Sequence, residues 1–216
     1  MGYRLYVDLI QDMLAGKKIV SSGMRHEIER CETAIELASQ GETVALISSG
    51  DPGIYGMAGP LLELMQNDSE IDVEVVPGVS AVQAAAALAG APIMNDFAVV
   101  SLSDLMMPWE AIEQRLEGAA SGDFVIALYN PKSKKRVEQI VNAQKIIKKY
   151  RDGSTPVLVA KNVNREGAHL QISTLDQFPN EEIGMLSIVI VGNSQTYMKN
   201  GKMVTHRGYK IPVTSI

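Results

Sequence analysis

The stretch at 44–56 carries residue types that could bind a polar ligand. An apolar run at 44–47, long enough for a buried strand, passes directly into Ser49, Gly50 and Asp51. In an open α/β sheet, ligands bind just beyond the carboxyl ends of the strands. Gly50 and Gly53 have no Cβ, so a ligand can approach the backbone, and Asp51 could pair with an ammonium group or accept hydrogen bonds from ribose hydroxyls. A plain strand-to-helix turn is the alternative interpretation.

Four further loops with small polar residues also follow predicted strands. If these strands are parallel, their loops meet at one edge of the two sheets, and together they favour a binding site. Each loop taken alone could be a simple turn. The four loops are Gly-Val-Ser-Ala (78–81), Tyr-Asn-Pro (129–131), Asn-Val-Asn-Arg-Glu-Gly (162–167) and Gly-Asn-Ser (192–194).

Positive charge collects at 132–136, where Lys132, Lys134, Lys135 and Arg136 occupy four of five positions. We place them at the start of a predicted helix at 135–150, where cations oppose the helix dipole and free backbone N–H groups favour anions. The combination indicates a polyanionic ligand, with a solvated helix start as the alternative. Lys161 and Arg165 would add charge from a neighbouring strand end.

A short apolar segment, Leu-Met-Met-Pro-Trp (105–109), lies near the predicted boundary between two lobes. Methionine side chains adapt to irregular surfaces. We interpret the segment as core packing between the lobes, with direct ligand contact as the alternative.

Composition narrows the class of protein. The net charge of −5 argues against non-specific nucleic-acid binding, and the longest apolar runs are too short to span a bilayer. The single cysteine, Cys31, is predicted to be a buried structural thiol, and the three histidines are not spaced as metal ligands. The first residues do not resemble a signal peptide. We therefore expect a cytoplasmic protein without a bound metal, a nucleic-acid partner or a membrane partner.

The elements that must position these loops follow a repeated order of strand, turn and helix, which is typical of a parallel sheet with crossover helices. We predict an α/β protein with two lobes, 1–94 and 95–216, joined through a linker at 90–95. The first sheet is expected to be mainly parallel and the second mixed, with the active site in the cleft between the lobes. Predicted strands are 17–21, 44–47, 72–76, 96–102, 123–129, 156–160, 170–174 and 187–191, and predicted helices are 1–13, 27–40, 57–65, 80–88, 109–118 and 135–150.

Taken together, the loops resemble those of the tetrapyrrole methyltransferases of cobalamin and sirohaem synthesis, over nearly the whole chain. The general marks are Ser-Gly-Asp-Pro-Gly-Ile-Tyr-Gly (49–56) and Val-Pro-Gly-Val-Ser-Ala (76–81). Narrower marks point to the branch that methylates C17 of precorrin-3B, or of cobalt-factor III in the anaerobic pathway, with ring contraction. These marks are Asp-Phe-Ala-Val-Val-Ser-Leu-Ser-Asp (96–104), Pro-Trp-Glu (108–110), Leu-Tyr-Asn-Pro-Lys-Ser (128–133), Asn-Val-Asn-Arg-Glu-Gly (162–167) and Met-Val-Thr-His-Arg-Gly-Tyr (203–209).

The resemblance implies a homodimer that binds S-adenosylmethionine folded up between two lobes, and a corrinoid precursor rich in carboxylates. The substrate would be held by Lys132, Lys134, Arg136 and Arg165. The weak acid–base candidates for ring contraction are Asp104, Arg165, Glu166 and His169. The donor-binding residues implied by the matching loops are Ser49, Gly50, Asp51, Ile54, Tyr55, Ser80, Ala81, Tyr129, Asn130, Asn162, Val163, Asn193 and Ser194.

This sequence departs from the family pattern at its start. Family members open with a strand and a Gly-x-Gly-Pro-Gly loop before the equivalent of Gly2-Tyr3, and this sequence has neither. We therefore expect the first sheet to lack one strand. Two alternatives stay open: methylation at another position of the same pathway, such as C11 or C20, and a protein that binds the donor without turnover.

Overall fold

The structure is a computed structural model that describes residues 1–67 and 70–210. The chain divides into two compact units between Ser80 and Ala81. The sequence predicts the boundary at 94/95. The two boundaries differ because one helix and one short strand belong to the second unit rather than the first. These two elements, at 81–91, pack and pair within the second unit, as described below.

The first unit is mainly helical. Its helices are α1 (Arg4–Leu9), α2 (Glu27–Ser39) and α3 (Ala58–Leu64), and its strands are β1 (Gly2–Tyr3) and β2 (Ser21–Ser22). The two strands form a parallel pair. Helix α2 ends beside Gly41, which has a positive φ of 86° and so supplies the left-handed residue that commonly follows a helix. Cys31 on this helix is fully buried, as predicted.

Two strands predicted for the first unit, at 44–47 and 72–76, are wrong. Residues 44–47 make a single bridge between Ile47 and Gly2, in which the Ile47 N–H donates to the Met1 carbonyl over 2.9 Å. Residues 72–76 are extended but belong to no strand, and Val75 and Val76 are largely exposed. An apolar run indicates propensity, whereas a strand also needs a neighbour with which to pair. In the described part of the chain, residues 44–47 meet only the two-residue strand β1 at its start, where the Met1 amino group also donates to the Ala45 carbonyl (2.7 Å). Residues 72–76 pair with no strand among the described residues.

The second unit is built on a five-stranded mixed sheet of order β4-β5-β8-β6-β7. Strands β4, β5 and β6 run in one direction, and β8 and β7 run in the other. A smaller sheet has the order β3-β10-β9. The helices are α4 (Ala81–Ala89), α5 (Trp109–Ser121) and α6 (Gln139–Ile147), and the strands are β3 (Gly90–Ala91), β4 (Phe97–Ser101), β5 (Val125–Tyr129), β6 (Pro156–Lys161), β7 (His169–Thr174), β8 (Ser187–Val191), β9 (Thr196–Lys199) and β10 (Lys202–Thr205).

Both faces of the five-stranded sheet are buried, because alternate residues of each strand point to opposite faces. On β5, Ile126 and Leu128 join the cluster that includes α5 and α6. Val125 and Ala127 of the same strand join the cluster that includes α4. Burial on both sides explains why β5, β6 and β8 read as continuous apolar runs in the sequence. The α/β class and the mixed second sheet are confirmed.

The segment expected to be a linker, at 90–95, begins instead with a strand. Gly90 and Ala91 pair in parallel with Met203 and Val204 of β10. Gly90 has a φ of 138°, and a Cβ on it would lie 2.6 Å from the Met203 carbonyl oxygen, so this close pairing requires glycine. Strands β9 and β10 were not predicted, because their short sequences mix lysine and threonine with apolar residues.

Candidate functional site

In the first unit, the Asp51 carboxylate fixes the shape of the glycine-rich loop. Asp51 Oδ1 accepts a hydrogen bond from the Gly53 N–H (2.8 Å), and Oδ2 accepts one from the Gly78 N–H (3.0 Å). The Asp51 N–H in turn donates to Ser80 Oγ over 3.3 Å. The carboxylate therefore ties the loop at 49–56 to the loop at 77–80, which confirms that these two loops are neighbours.

The hydrogen bonds to the Asp51 carboxylate lower its pKa below the ordinary value, with Gly78 as the larger cause and Gly53 as the smaller. Backbone N–H groups favour the charged form of an acid that accepts from them. Asp51 therefore stays ionised throughout the neutral range, and each oxygen keeps a further lone pair that a ligand could use.

Glycine is required where the two loops meet. Gly50 has a φ of 78°, and a Cβ on Gly78 would overlap the Gly50 carbonyl group, 2.9 Å from its carbon. Ser80 is buried beneath this contact. Ile54 closes the turn by donating its N–H to the Asp51 carbonyl (3.2 Å), and Tyr55 has a positive φ of 54° and is 57% exposed.

In the second unit, the predicted site residues concentrate at one edge of the five-stranded sheet. The carboxyl ends of β4, β5 and β6 lie at this edge, together with the amino ends of β7 and β8. Strand β8 separates β5 from β6, so Asn130 and Asn162 follow strand ends that lie about 10 Å apart. The Asn162 N–H donates to the Leu186 carbonyl, just before β8, over 3.0 Å.

Tyr129 and Asn130 are held by hydrogen bonds from several elements. The Val82 N–H of α4 donates to the Tyr129 hydroxyl oxygen (3.0 Å), which places that ring beside the first turn of the helix that begins at Ala81. Asn130 has a left-handed φ of 49°, and its Nδ2 donates to Ser101 Oγ over 3.0 Å. These contacts fix the conformation of the loop at 129–131, and donor binding by Tyr129 and Asn130 stays a prediction.

Arg136 is predicted to bind substrate, and the structure shows which protein groups its side chain contacts. Its side chain is only 7% exposed, its Nη2 donates to the Asn130 carbonyl (2.8 Å), and its Nη1 donates to Ser103 Oγ (3.5 Å). Its Nε is buried and has no partner among the described residues. The guanidinium group therefore supports the Asn130 turn from beneath. Substrate binding by Arg136 stays a prediction.

The other cations of this loop do face solvent, but they do not lie on a helix. Helix α6 begins at Gln139 rather than at 135, so the argument from a helix amino terminus does not apply to them. Lys134 and Lys135 are exposed and Lys132 is half-buried. The charge remains available for an anionic ligand, held by a loop that Arg136 anchors through Asn130.

The loop after β6 is tightly wound. Asn162 (φ 51°), Asn164 (φ 57°) and Gly167 (φ 71°) are all left-handed, and the Arg165 N–H donates to the Asn162 carbonyl over 2.9 Å. Asn162 Oδ1 is buried and has no hydrogen-bond partner among the described residues. Such an orphaned acceptor costs free energy unless a ligand or water satisfies it. Val163 beside it packs against the α4 side of the sheet.

The acid–base candidates are spread along this edge. Asp104 follows β4 and accepts from Gln139 Nε2 over 2.8 Å, whereas His169 begins β7. Four strand spacings separate those strand ends, or about 19 Å, so the two side chains do not form a pair. Arg165 is half-buried and Glu166 exposed. Lys161 forms an ion pair with Glu182 and lowers the pKa of that carboxyl, so its charge is already balanced.

Asn193 and Ser194 do not join the other predicted donor residues of the second unit. They follow β8, which runs antiparallel to β5 and β6, so they lie at the opposite edge of the sheet. Ser194 donates from its N–H and its hydroxyl to the Asp123 carboxylate, and Asn193 Nδ2 donates to the Asp123 carbonyl (2.9 Å). The expectation that this loop lies at the same edge as the loops after β5 and β6 is therefore wrong.

Several residues of the candidate site could not be found from sequence patterns. Ser101, Ser103 and Gln139 hold the neighbouring loops, and Leu186 brings the end of β8 to Asn162. Ser101 and Ser103 lie within the family mark at 96–104, but the spacing of serine and glutamine residues does not indicate which loops they hold. Within the described ranges, no group of three or more His, Cys, Asp or Glu side chains could hold a metal ion. No helix there is long and apolar enough to cross a membrane.

Comparison with known proteins identifies the family of this chain. Residues 2–179 match the family described as Tetrapyrrole (Corrin/Porphyrin) Methylases. The chain is 45% identical to a probable cobalt-factor III C(17)-methyltransferase of Salmonella typhimurium, over 98% of this chain and 88% of that protein. It is 46% identical to a cobalt-factor III methyltransferase of Priestia megaterium, over 97% of this chain and 40% of that protein. The chain thus spans less than half the length of the latter relative.

Among solved structures, the methyltransferase CobJ has a TM-score of 0.89 and 34% identity, over 95% of this chain and 87% of that one. A uroporphyrin-III C-methyl transferase from Thermus thermophilus, in complex with S-adenyl homocysteine, shares the fold with a TM-score of 0.68 at 21% identity, over 89% of this chain and 84% of that one. The match of the family over most of the chain, the full-length relative and the loops described above lead to one conclusion. This chain belongs to the tetrapyrrole (corrin/porphyrin) methylase family.

Proposed function

We propose that this protein is an S-adenosylmethionine-dependent C-methyltransferase of cobalamin biosynthesis. Its substrate would be cobalt-factor III or precorrin-3B, methylated at C17 with contraction of the ring. The observation that carries the proposal is the 45% identity to a probable cobalt-factor III C(17)-methyltransferase of nearly the same extent. The CobJ structure, similar over 95% of the chain, adds support.

The described residues fit the methyl donor. S-adenosylmethionine carries an ammonium group, a carboxylate, a ribose and an adenine, and these need acceptors, donors and unobstructed backbone. Asp51 offers an ionised carboxylate, and the glycines beside it leave the backbone accessible. In the second unit, Asn162 Oδ1 is a buried acceptor that no described residue satisfies. Tyr129, Asn130 and Val163 lie at the same edge of the sheet as Asn162.

The chemistry asks little of the protein beyond orientation. The donor supplies a methyl group already activated on a sulfonium, so no protein nucleophile is required. Rate is gained by aligning the acceptor carbon with that methyl group and by excluding water. We assign this task to the loops around Asp51, Asn130 and Asn162. Proton transfers during ring contraction remain assigned to Asp104, Arg165, Glu166 and His169 as candidates.

The substrate's carboxylates would be bound by Lys132, Lys134 and Arg165. Lys132 and Lys134 stand on the loop that Arg136 ties to Asn130, so the cations are held close to the donor residues of the second unit. We further propose that the protein is a cytoplasmic homodimer without a resident metal. Analytical ultracentrifugation tests the oligomeric state.

The proposed function is tested by incubating the chain with methyl-labelled S-adenosylmethionine and either cobalt-factor III or precorrin-3B. We expect one labelled methyl group in the product by mass spectrometry and its location at C17 by NMR. A labelled methyl group at C11 or C20 would show that the protein catalyses a different methylation of the same pathway. Binding of S-adenosylhomocysteine without any transfer would identify a donor-binding protein that lacks turnover.

A further inference from the structure

The loop between β4 and α5 presents two large apolar side chains to solvent. Leu105 is 71% exposed and Met106 is 91% exposed. On either side of them the chain is anchored in the core, since Leu102 is fully buried and Met107 packs against the α5–α6 cluster. We call Leu105 and Met106 the apolar tip. The expectation that the segment 105–109 serves only as core packing is therefore wrong for these two residues.

Hydrogen bonds fix the base of the apolar tip to the loop after β5. The Leu102 N–H donates to the Tyr129 carbonyl over 2.9 Å. Arg136 Nη1 donates to Ser103 Oγ, and Gln139 Nε2 donates to Asp104 Oδ2 (2.8 Å). Strands β4 and β5 are parallel neighbours that end in register. The tip thus stands at the same sheet edge as Asn130, on a base that is hydrogen-bonded to Tyr129, Arg136 and Gln139.

The charge next to the apolar tip indicates what it contacts. The adjoining loop carries Lys132, Lys134 and Lys135, of which two are exposed and one half-buried. A cationic surface alone would suit any polyanion, and an apolar tip alone would suit any apolar surface. Side by side, they are complementary to a ligand with a flat apolar face and an acidic rim. Methionine suits such a face because its thioether side chain is flexible and polarisable.

We infer that Leu105 and Met106 contact the apolar face of the tetrapyrrole macrocycle and determine affinity for it, while the neighbouring lysines meet its carboxylates. This inference rests on the proposed function and deepens it. The methyl donor is charged and polar, and its predicted residues lie on other loops. The apolar tip therefore contributes to the binding of one substrate and not of the other.

The test compares the double variant Leu105→Gln/Met106→Gln with the matched control Met198→Gln. Met198 is 42% exposed on β9, in the smaller sheet. Leu105 and Met106 lie mostly in water and Met198 is partly exposed, so we expect all variants to fold. The dissociation constant for cobalt-factor III is measured by absorbance titration at several salt concentrations, and that for S-adenosylhomocysteine by calorimetry.

We expect the double variant to bind cobalt-factor III at least about tenfold more weakly, because two large apolar contacts are lost. Its affinity for S-adenosylhomocysteine and the salt dependence of tetrapyrrole binding should equal those of the wild type, and Met198→Gln should change neither affinity. Unchanged tetrapyrrole affinity, or an equal loss for both ligands, would overturn the inference while the wild-type titration still supports the proposed function. Failure of the wild type itself to bind the tetrapyrrole would overturn both.

Discussion

The loops of the first unit and those of the second unit are held in shape by different means. In the second unit, a five-stranded sheet buried on both faces sets the positions of the loops after β4, β5 and β6. In the first unit, two of the strands expected to support the loops are not formed. There the Asp51 carboxylate and the close contact between Gly50 and Gly78 hold the loops in place. The loop positions of the second unit therefore depend on its hydrophobic core, whereas those of the first unit depend on a few individual residues.

The largest effect is expected from a cavity in the second unit. Leu128 on β5 is fully buried between the sheet and helices α5 and α6. Leu128→Ala should lower the free energy of unfolding by about 2–5 kcal/mol, because buried contacts are lost and a cavity remains. Denaturant unfolding measures this loss. The control Leu88→Ala, at a 42% exposed position of α4, should change stability by less than about 0.5 kcal/mol. Equal losses in the two variants would show that the core does not set the stability of this unit.

The next effect is expected where the two loops of the first unit touch. Gly78→Ala places a Cβ against the Gly50 carbonyl group and should cost about 1–3 kcal/mol of overpacking. Because the displaced backbone belongs to the Asp51 loop, the affinity for S-adenosylhomocysteine should fall with it. The matched control is Gly59→Ala, since a Cβ on Gly59 in α3 would meet no atom within 4 Å. Normal donor affinity in Gly78→Ala would show that the contact between Gly78 and Gly50 is not needed for donor binding.

An effect of similar size is expected at Arg136, which supports the second unit's Asn130 turn. Arg136→Gln removes the bond to the Asn130 carbonyl and should reduce stability by about 1–3 kcal/mol, the cost of an unsatisfied buried group. Donor affinity should fall more than the affinity for cobalt-factor III, because Asn130 is placed on the donor side. Calorimetry with both ligands measures the difference, with Lys135→Gln as the exposed control. A selective loss of tetrapyrrole binding would instead support the prediction that Arg136 binds the substrate.

The smallest effect concerns pH and the Asp51 carboxylate. Its pKa in the folded protein is lowered by the Gly78 and Gly53 N–H groups. Its contribution to stability is therefore complete above the ordinary pKa of about 3.9 and is lost as pH falls through the lowered value. Between pH 6 and pH 3, the wild type should lose more stability than Asp51→Asn, as measured by denaturant unfolding. The exposed helix residue Asp8 provides the control Asp8→Asn, which should follow the wild type. Parallel curves for the wild type and Asp51→Asn would remove Asp51 as the residue that fixes this loop.

The sequence determined most of what depends on local pattern. Strand β8 was predicted at its observed bounds, and β6 and helix α2 to within one residue at each end, because continuous apolar runs and amphipathic spacing encode them locally. The loop types were also readable, since Gly50, Asp51, Asn130 and Asn162 follow apolar segments and match the family pattern. For the same reason, the sequence motifs alone were sufficient to recognise the family.

Only the tertiary structure decided which of these local features meet. The direction of β8 comes from its pairing with β5 and β6, and no residue of β8 encodes it. That direction alone sends Asn193 and Ser194 to the edge opposite Asn162. The same holds for Arg136, whose sequence neighbours are exposed lysines but whose guanidinium is buried under Asn130. Strand pairing and burial depend on residues that are distant in sequence. A local pattern therefore identifies the strands, helices and loops, whereas long-range contacts decide how they are arranged.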